Sequence, residues 1–149
     1  MKNNARIRFD AISQNEAFAR LCVSAFIAGA NPNLEELSDI KTAVSEAVTN
    51  AIVHGYKNSS GEIEMVLNLT KNKLTIQVLD WGIGICDVDE ARKPFFTTCT
   101  DGTRSGMGIT VMESFMDSVK IVSAHEEGTR VVMEKTIMGE CNVGQQADE

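Results

Sequence analysis

The sequence predicts an α+β fold, a two-layer sandwich in which a mixed or antiparallel sheet carries helices packed on one face. The period of the apolar residues changes from 3.6 residues before position 55 to 2 residues after it, which indicates helices followed by strands. The elements follow in the order β, α, α, β, β, loop, α, β, β, so that hairpins alternate with grouped helices. A doubly wound fold would need regular βαβ alternation, which this order lacks.

The N-terminal region is predicted to form a short strand and a helix. Ile7 and Phe9 alternate with charged neighbours, a pattern typical of a strand. Ser13 followed by Glu16 matches a capping box, so we expect a helix that begins there and continues to about Ala28.

A second helix is predicted between Asn33 and Gly55. Asn33 with Glu36 gives another capping-box pattern, and glycine is frequent just beyond a helix. After this helix the sequence predicts two hairpins with an irregular segment and a further helix between them. The predicted elements are strands near 62–69 and 74–78, a short helix near 88–92, a helix near 107–116, and strands near 119–124 and 129–137.

The composition is that of a single globular domain. The 149 residues are 43% hydrophobic, and the net charge of −7 disfavours direct binding to nucleic acid. The four cysteines form no CxxC pair and are expected to be free thiols. No apolar stretch suits a membrane span or a secretory signal, so we expect a cytoplasmic protein with no membrane attachment. One domain is expected over residues 1–137, followed by a polar, disordered tail over 138–149.

Three polar residues of the second helix are spaced to lie on one face. Glu46, Asn50 and His54 stand at i, i+4 and i+8, away from the face of the apolar residues. Such a face could simply be solvated. The functional interpretation is that Glu46 is a general base and that Asn50 binds Mg²⁺, which accepts few protein oxygens and takes the rest from water and phosphate. His54, at the helix C-terminus, is expected to cap the helix.

Two glycine-rich segments follow the hairpin. Asp80, Gly82 and Gly84 come directly after a strand, where glycines let the backbone approach a flat ring and a carboxylate can accept a hydrogen bond from an amine. The run from Gly102 to Gly108 lies directly before a helix, where free N–H groups can bind an anion. This run is neither a Walker A loop nor a GxGxxG loop.

In this order, the motifs resemble those of the GHKL, or Bergerat-fold, ATP-binding superfamily. Its N box, G1 box and G2 box correspond to the helix with Glu-x-x-x-Asn, the strand followed by DxGxG, and the glycine-rich helix start. The wording of residues 44–56, 96–98 and 104–108 is similar to that of the anti-sigma-F family, whose members are serine-protein kinases of the sporulation pathway. The resemblance extends from about Arg6 to Ile137.

The resemblance implies a role for each matching residue. Glu46 would be the catalytic base, Asn50 the Mg²⁺ ligand and Asp80 the contact to the adenine amino group. Glu16 and Arg20, in the first helix, would contact the protein partners. The implied ATP-binding residues are Asn50, Asp80, Gly82, Gly84, Arg104, Ser105, Gly106, Met107, Gly108 and Thr129.

The resemblance also implies partners and an activity. The chain is expected to bind and inhibit a sigma factor of the sigma-F type, and to use Mg-ATP to phosphorylate its anti-anti-sigma antagonist on serine. A homodimer is expected. Two alternatives remain open, namely a general-stress-response anti-sigma serine kinase of the same family and a nucleotide-gated binding module without kinase activity. A histidine kinase is disfavoured because nothing resembles a helical hairpin with a phospho-accepting histidine.

Overall fold

The structure is a computed structural model that describes residues 2–84, 108–124 and 126–139. Its strands form one five-stranded antiparallel sheet in the order β1-β2-β3-β5-β4, with the helices packed on one face. This confirms the predicted α+β sandwich. The strands are β1 (Lys2–Asp10), β2 (Glu62–Thr70), β3 (Lys73–Asp80), β4 (Ser118–Ala124) and β5 (Gly128–Thr136), and the helices are α1 (Gln14–Ile27), α2 (Leu34–Asn50) and α3 (Gly108–Phe115).

The hairpin of β2 and β3 forms the centre of the core, as its alternating pattern predicts. The register pairs Met65 with Val78 and Leu67 with Ile76, so the apolar residues of both strands point to the same face. Their side chains are buried beneath the helices, together with Val44 and Val48 of α2. The polar face of α2 is thereby turned away from the sheet core.

The N-terminal elements differ from the prediction in two ways. Strand β1 is longer than expected because it pairs with β2 along its whole length, from Lys2 to Asp10. The Ser13 capping box is wrong. The backbone of Ser13 is already helical and its side chain makes no capping hydrogen bond, whereas an N-cap residue needs an extended backbone to reach the first free N–H groups. Instead, the Asn15 amide donates to the Asp10 carbonyl.

Helix α2 has two different ends. At its start, both hydrogen bonds of the predicted capping box form between Asn33 and Glu36. At its end, the α-helical hydrogen bonding stops at Asn50 and a π-helical turn (Ala51–Gly55) follows. The predicted helix therefore reaches Gly55, but its last turn is wider than an α-helical one.

The C-terminal elements follow the prediction within one or two residues. Helix α3 and strands β4 and β5 lie where the sequence places them, and the predicted helix near 88–92 lies outside the described residues. Met138 and Gly139 donate their N–H groups to the Glu36 carboxylate. In the part of the chain that the structure describes, every helix is too short or too polar to cross a membrane.

Candidate nucleotide site

The predicted N-box residues meet the start of α3. A Cβ atom added to Gly108 would lie 3.0 Å from the Asn50 amide atoms and 3.1 Å from Glu46 Oε2. The glycine thus lets the first turn of α3 approach both side chains, and a larger residue would occupy the space between them. A carboxylate and an amide oxygen consequently lie beside a helix N-terminus, whose free N–H groups carry partial positive charge.

His54 is separated from this pair by the π-helical turn. The turn begins directly after Asn50, so that the i+4 spacing no longer describes where His54 lies relative to Glu46. The single helix face predicted from the sequence is therefore correct for Glu46 and Asn50 only.

Asp80 ends β3 as a buried carboxylate. Its Oδ1 accepts the Gly82 N–H at 2.9 Å, and the Thr129 backbone also donates to the carboxylate. Burial nevertheless raises the pKa of Asp80 to about 6, because these two hydrogen bonds only partly replace the lost water. A carboxylate has about four acceptor sites, so the Gly82 and Thr129 donors leave capacity for a further hydrogen bond, as a contact to an amine would require.

Gly82 and Gly84 are required by the packing of the protein backbone. A Cβ on Gly82 would lie 2.0 Å from the Gly55 carbonyl oxygen, and one on Gly84 would lie 2.0 Å from the Ala124 carbonyl oxygen. Gly84 also has a φ of +74°, which side-chain-bearing residues rarely adopt. The DxGxG segment is thus held between the end of α2 and the β4–β5 hairpin.

Thr129 lies opposite Asp80 in the sheet, since β3 and β5 pair these two residues. The Thr129 hydroxyl is 2.8 Å from the Ser123 hydroxyl, which also donates to the Gly128 carbonyl. This places Thr129 at the same end of the sheet as Asp80, as the nucleotide prediction requires.

The predicted partner-binding residues lie on α1 and face α2. Arg20 Nη1 is 3.4 Å from Glu16 Oε1 and donates to Ser45 Oγ at 2.7 Å, so the guanidinium bridges the two helices. About a third of the Arg20 side chain remains exposed. It lines a groove of about 490 Å³ whose other lining residues are Leu34, Leu37, Ser38, Lys41, Thr42 and Ser45.

Part of the predicted site lies outside the described residues. This applies to Arg104, Ser105, Gly106 and Met107, as well as to the segment at 96–98. Gly108 is the one residue of the predicted G2 box that the structure describes, and it lies beside Glu46 and Asn50.

Sequence reasoning missed two contacts to the DxGxG segment. The Gly55 carbonyl accepts the Ile83 N–H at 2.9 Å, and the Tyr56 hydroxyl accepts the Trp81 N–H at 2.9 Å. The sequence indicates only that Gly55 ends the helix. The His-Gly-Tyr wording was the available signal, but its partners are distant in sequence and only the fold shows them.

The residues present fit a magnesium-bound nucleotide. Among the described residues, no group of three or more His, Cys, Asp or Glu side chains could hold a metal by itself. Asn50 beside the α3 N-terminus suits a cation whose remaining ligands are water and phosphate oxygens. Asp80, at the end of β3, suits the amine of a base.

The chain matches the model of one protein family over residues 11–135, described as the histidine kinase-like ATPase domain. That range contains α2, β3, α3 and every described residue of the candidate site. The chain belongs to the histidine kinase-like ATPase family. Within it, curated relatives place the chain among the anti-sigma F factors.

Three of these relatives show how extensive the similarity is. The anti-sigma F factor of Bacillus licheniformis is 51% identical over 136 residues, which is 91% of this chain and 93% of that protein. The anti-sigma F factors of Clostridium perfringens and Clostridium acetobutylicum are 50% and 47% identical to this chain. Each match covers 91% of this chain, and the matches cover 97% and 94% of those two proteins, respectively.

Solved structures of this ATPase family share the fold. The RsbU and RsbW domains of Rv1364c from Mycobacterium tuberculosis superpose with a TM-score of 0.63 at 20% identity over 91% of this chain, which spans about a third (32%) of that chain. The catalytic domain of the histidine kinase ThkA gives a TM-score of 0.54 at 18% identity over 89% of this chain and 96% of that one.

Proposed function

We propose that this chain is an ATP-dependent protein serine kinase that inhibits a sigma factor of the sigma-F type in the cytoplasm. Its phosphorylation substrate would be the anti-anti-sigma antagonist of that sigma factor. The observation that carries the proposal is the position of Glu46 and Asn50 beside Gly108 at the start of α3. The names of the curated relatives support the sigma-factor partner.

Each described residue of the site has one task in this proposal. Asp80 accepts a hydrogen bond from the adenine amine, and the N–H groups at the start of α3 bind phosphate oxygens. Asn50 is a ligand of Mg²⁺, which supplies neutralisation of the phosphate charge when bound. Thus an acidic protein can hold ATP locally, without a basic cleft.

Glu46 is the proposed base. The serine oxygen of the antagonist forms a bond to the γ-phosphorus of ATP while the bond from that phosphorus to the ADP oxygen breaks. Glu46 accepts the serine hydroxyl proton, and ADP leaves with the electron pair of the broken bond. Because phosphoryl transfer involves a loose transition state, positioning by the protein contributes more than proton removal alone.

Incubation with labelled ATP tests the activity. The purified chain is mixed with the candidate anti-anti-sigma protein, and sigma-factor binding is measured in parallel by pull-down. We expect label on a serine of the antagonist and retention of a sigma-F-type factor. Retention without labelling would favour a nucleotide-gated binding module. Labelling of a stress-response antagonist, with retention of a different sigma factor, would favour the general-stress kinase.

Asn50→Ala tests the metal ligand. Calorimetry should show that the variant loses most of its affinity for ATP in the presence of Mg²⁺ and little in its absence. Asn68→Ala is the matched control, because Asn68 is a partly exposed asparagine of β2 whose side chain bonds to those of Asn4 and Thr70. Equal losses with and without Mg²⁺ would mean that Asn50 is structural. Sedimentation of the same samples tests the proposed homodimer.

A further inference from the structure

The hydroxyl group of Tyr56 lies between two strands at the point where their pairing ends. The β2–β3 ladder ends with Ile63 opposite Asp80. Continued by one residue, this register would pair Glu62 with Trp81. Instead, the Tyr56 hydroxyl accepts the Trp81 N–H at 2.9 Å and donates to the Glu62 carbonyl at 2.5 Å. The side chain takes the place of a direct backbone hydrogen bond and holds the two strands apart.

The position of the Tyr56 ring is fixed from both sides. On one side, the backbone N–H of Tyr56 donates to the Ala51 carbonyl at 2.9 Å, which attaches the residue to the π-helical turn. On the other side, the ring covers Gly61 so closely that a Cβ there would lie 2.4 Å from Cε1. The hydroxyl is therefore held in place by backbone packing and has little freedom to move.

The bridge acts on the segment that orients Asp80. The Trp81 N–H donates to the Tyr56 hydroxyl, and the N–H of the next residue, Gly82, donates to the Asp80 carboxylate. The Ile83 N–H then reaches the Gly55 carbonyl. Gly55 and Tyr56, at the end of the π-helical turn, thus fix the chain directly after Asp80. If the hydroxyl were absent, the Trp81 N–H and Glu62 carbonyl would either be unpaired or bond directly, which would pull Trp81 toward β2.

We propose that Tyr56 is a positioning residue of the nucleotide site, whose hydroxyl bridge between β2 and Trp81 sets the orientation of the Asp80 segment that receives the base. This inference rests on the proposed function, in which that segment binds adenine. Tyr56 acts in this proposal only through its bonds to the protein backbone, not by contact with the phosphates or the transferred group. Its loss should accordingly change the affinity for ATP and leave the chemical step intact.

Tyr56→Phe tests the proposal, because it removes the hydroxyl and keeps the ring. We expect ATP affinity to fall by roughly 10-fold, the usual size of an effect that leaves one partly buried hydrogen-bonding group unpaired. The KM for ATP should rise accordingly, and kcat at saturating ATP should stay within about 2-fold of wild type. Trp81 is the only tryptophan of the chain, so its fluorescence should differ from that of wild type even without nucleotide.

Ser59→Ala is the matched control. It removes another hydroxyl from the same turn, one that donates to the Tyr56 carbonyl, and leaves the bridge intact. This variant should keep wild-type ATP affinity and Trp81 emission.

Two results would overturn the inference. One is wild-type ATP affinity in Tyr56→Phe. The other is a parallel fall in ATP affinity, sigma-factor affinity and thermal stability with unchanged Trp81 emission, which would show a general structural role. A wild-type chain that fails to bind ATP would instead refute the proposed function.

Discussion

The two ends of α2 show different ways of satisfying the polar groups of a helix terminus. At the N-terminal end, Asn33 and Glu36 bond to each other's backbone, and the pattern is complete within four residues. At the C-terminal end, a π-helical turn follows Asn50, and the hydroxyl of the next residue, Tyr56, bonds to the Glu62 carbonyl at the start of β2 and to the Trp81 N–H just after β3. The first arrangement stabilises a helix, and the second joins the helix to the candidate site.

Two buried carboxylates show the same contrast. Glu36 and Asp80 are both 8% exposed, yet their pKa values shift in opposite directions. Burial acts to raise the pKa of Glu36, but the N–H groups of Met138, Asn33 and Gly139 and the charge of Lys135 overcome it and lower that pKa. Asp80 receives two such bonds and its pKa is raised to about 6. The carboxylate of Asp80 is the more deeply desolvated of the two and, among the described residues, has fewer donors and no nearby lysine, a combination typical of functional carboxylates.

The largest expected effect on activity comes from Glu46→Gln near the C-terminal end of α2. Single-turnover phosphorylation should fall by roughly 10²–10⁴-fold, the usual contribution of a positioned general base. The low end of that range would fit a loose transition state with little charge on the attacking oxygen. Equilibrium binding of ATP and of the sigma factor should remain near wild type. Near-normal phosphorylation would exclude Glu46 as the base.

Asp80→Asn should weaken ATP binding and stabilise the protein at neutral pH. The raised pKa means that the folded state holds its proton more tightly, so stability falls as the pH rises from about 3.8 to about 6 and stays lower above that. Removing the charge should therefore add on the order of 2–3 kcal/mol to the free energy of unfolding at pH 7. Denaturant unfolding at pH 4 and pH 7 measures this. A gain of equal size at both pH values would contradict the buried-charge explanation.

Arg20→Ala, on α1 where the guanidinium bonds to Ser45 of α2, should affect binding to proteins and not to nucleotide. If the groove beside Arg20 receives a partner, sigma-factor affinity should fall by about 1–3 kcal/mol, as for other charged interface residues. Arg130→Ala is the matched control, since Arg130 is exposed on β5. ATP affinity should be unchanged in both variants. Partner affinity equal to that of the control would remove Arg20 from the interface.

Glu36→Gln makes the same glutamate-to-glutamine change at the N-terminal end of α2 and should have the smallest effect on function. We expect a loss of about 1–2 kcal/mol of stability, because three N–H groups lose a charged acceptor. Because the pKa of Glu36 is lowered in the folded protein, this stabilisation is fully present at pH values above the ordinary carboxyl pKa. It should be lost as the pH falls through the lowered pKa of the folded state. Unfolding curves at pH 7 and pH 3 measure it. Reduced phosphorylation at unchanged stability would contradict the view that the N-terminal end of α2 stabilises the fold and only its C-terminal end serves the site.

Much of the fold was predictable because the responsible interactions are local. The Asn33–Glu36 capping box and the alternation through Ile63 to Val78 depend on neighbours, and both are confirmed. The Ser13 pattern failed although it is equally local, because β1 delivers the chain to α1 with Ser13 already in helical conformation. A local motif therefore predicts correctly only where the preceding chain allows the backbone geometry it needs.

The sequence by itself determined the element order, the α+β class and the motifs whose spacing lies within one helix or one turn. Glu46 and Asn50 could be placed on one face because helical spacing alone brings them together. Only the tertiary structure decided that Gly108 approaches this pair, that Gly55 and Tyr56 hold the segment after Asp80, and that Asp80 is buried with two donors. These facts depend on contacts between residues separated by long stretches of chain, and no local pattern specifies which distant backbone group fills a given space.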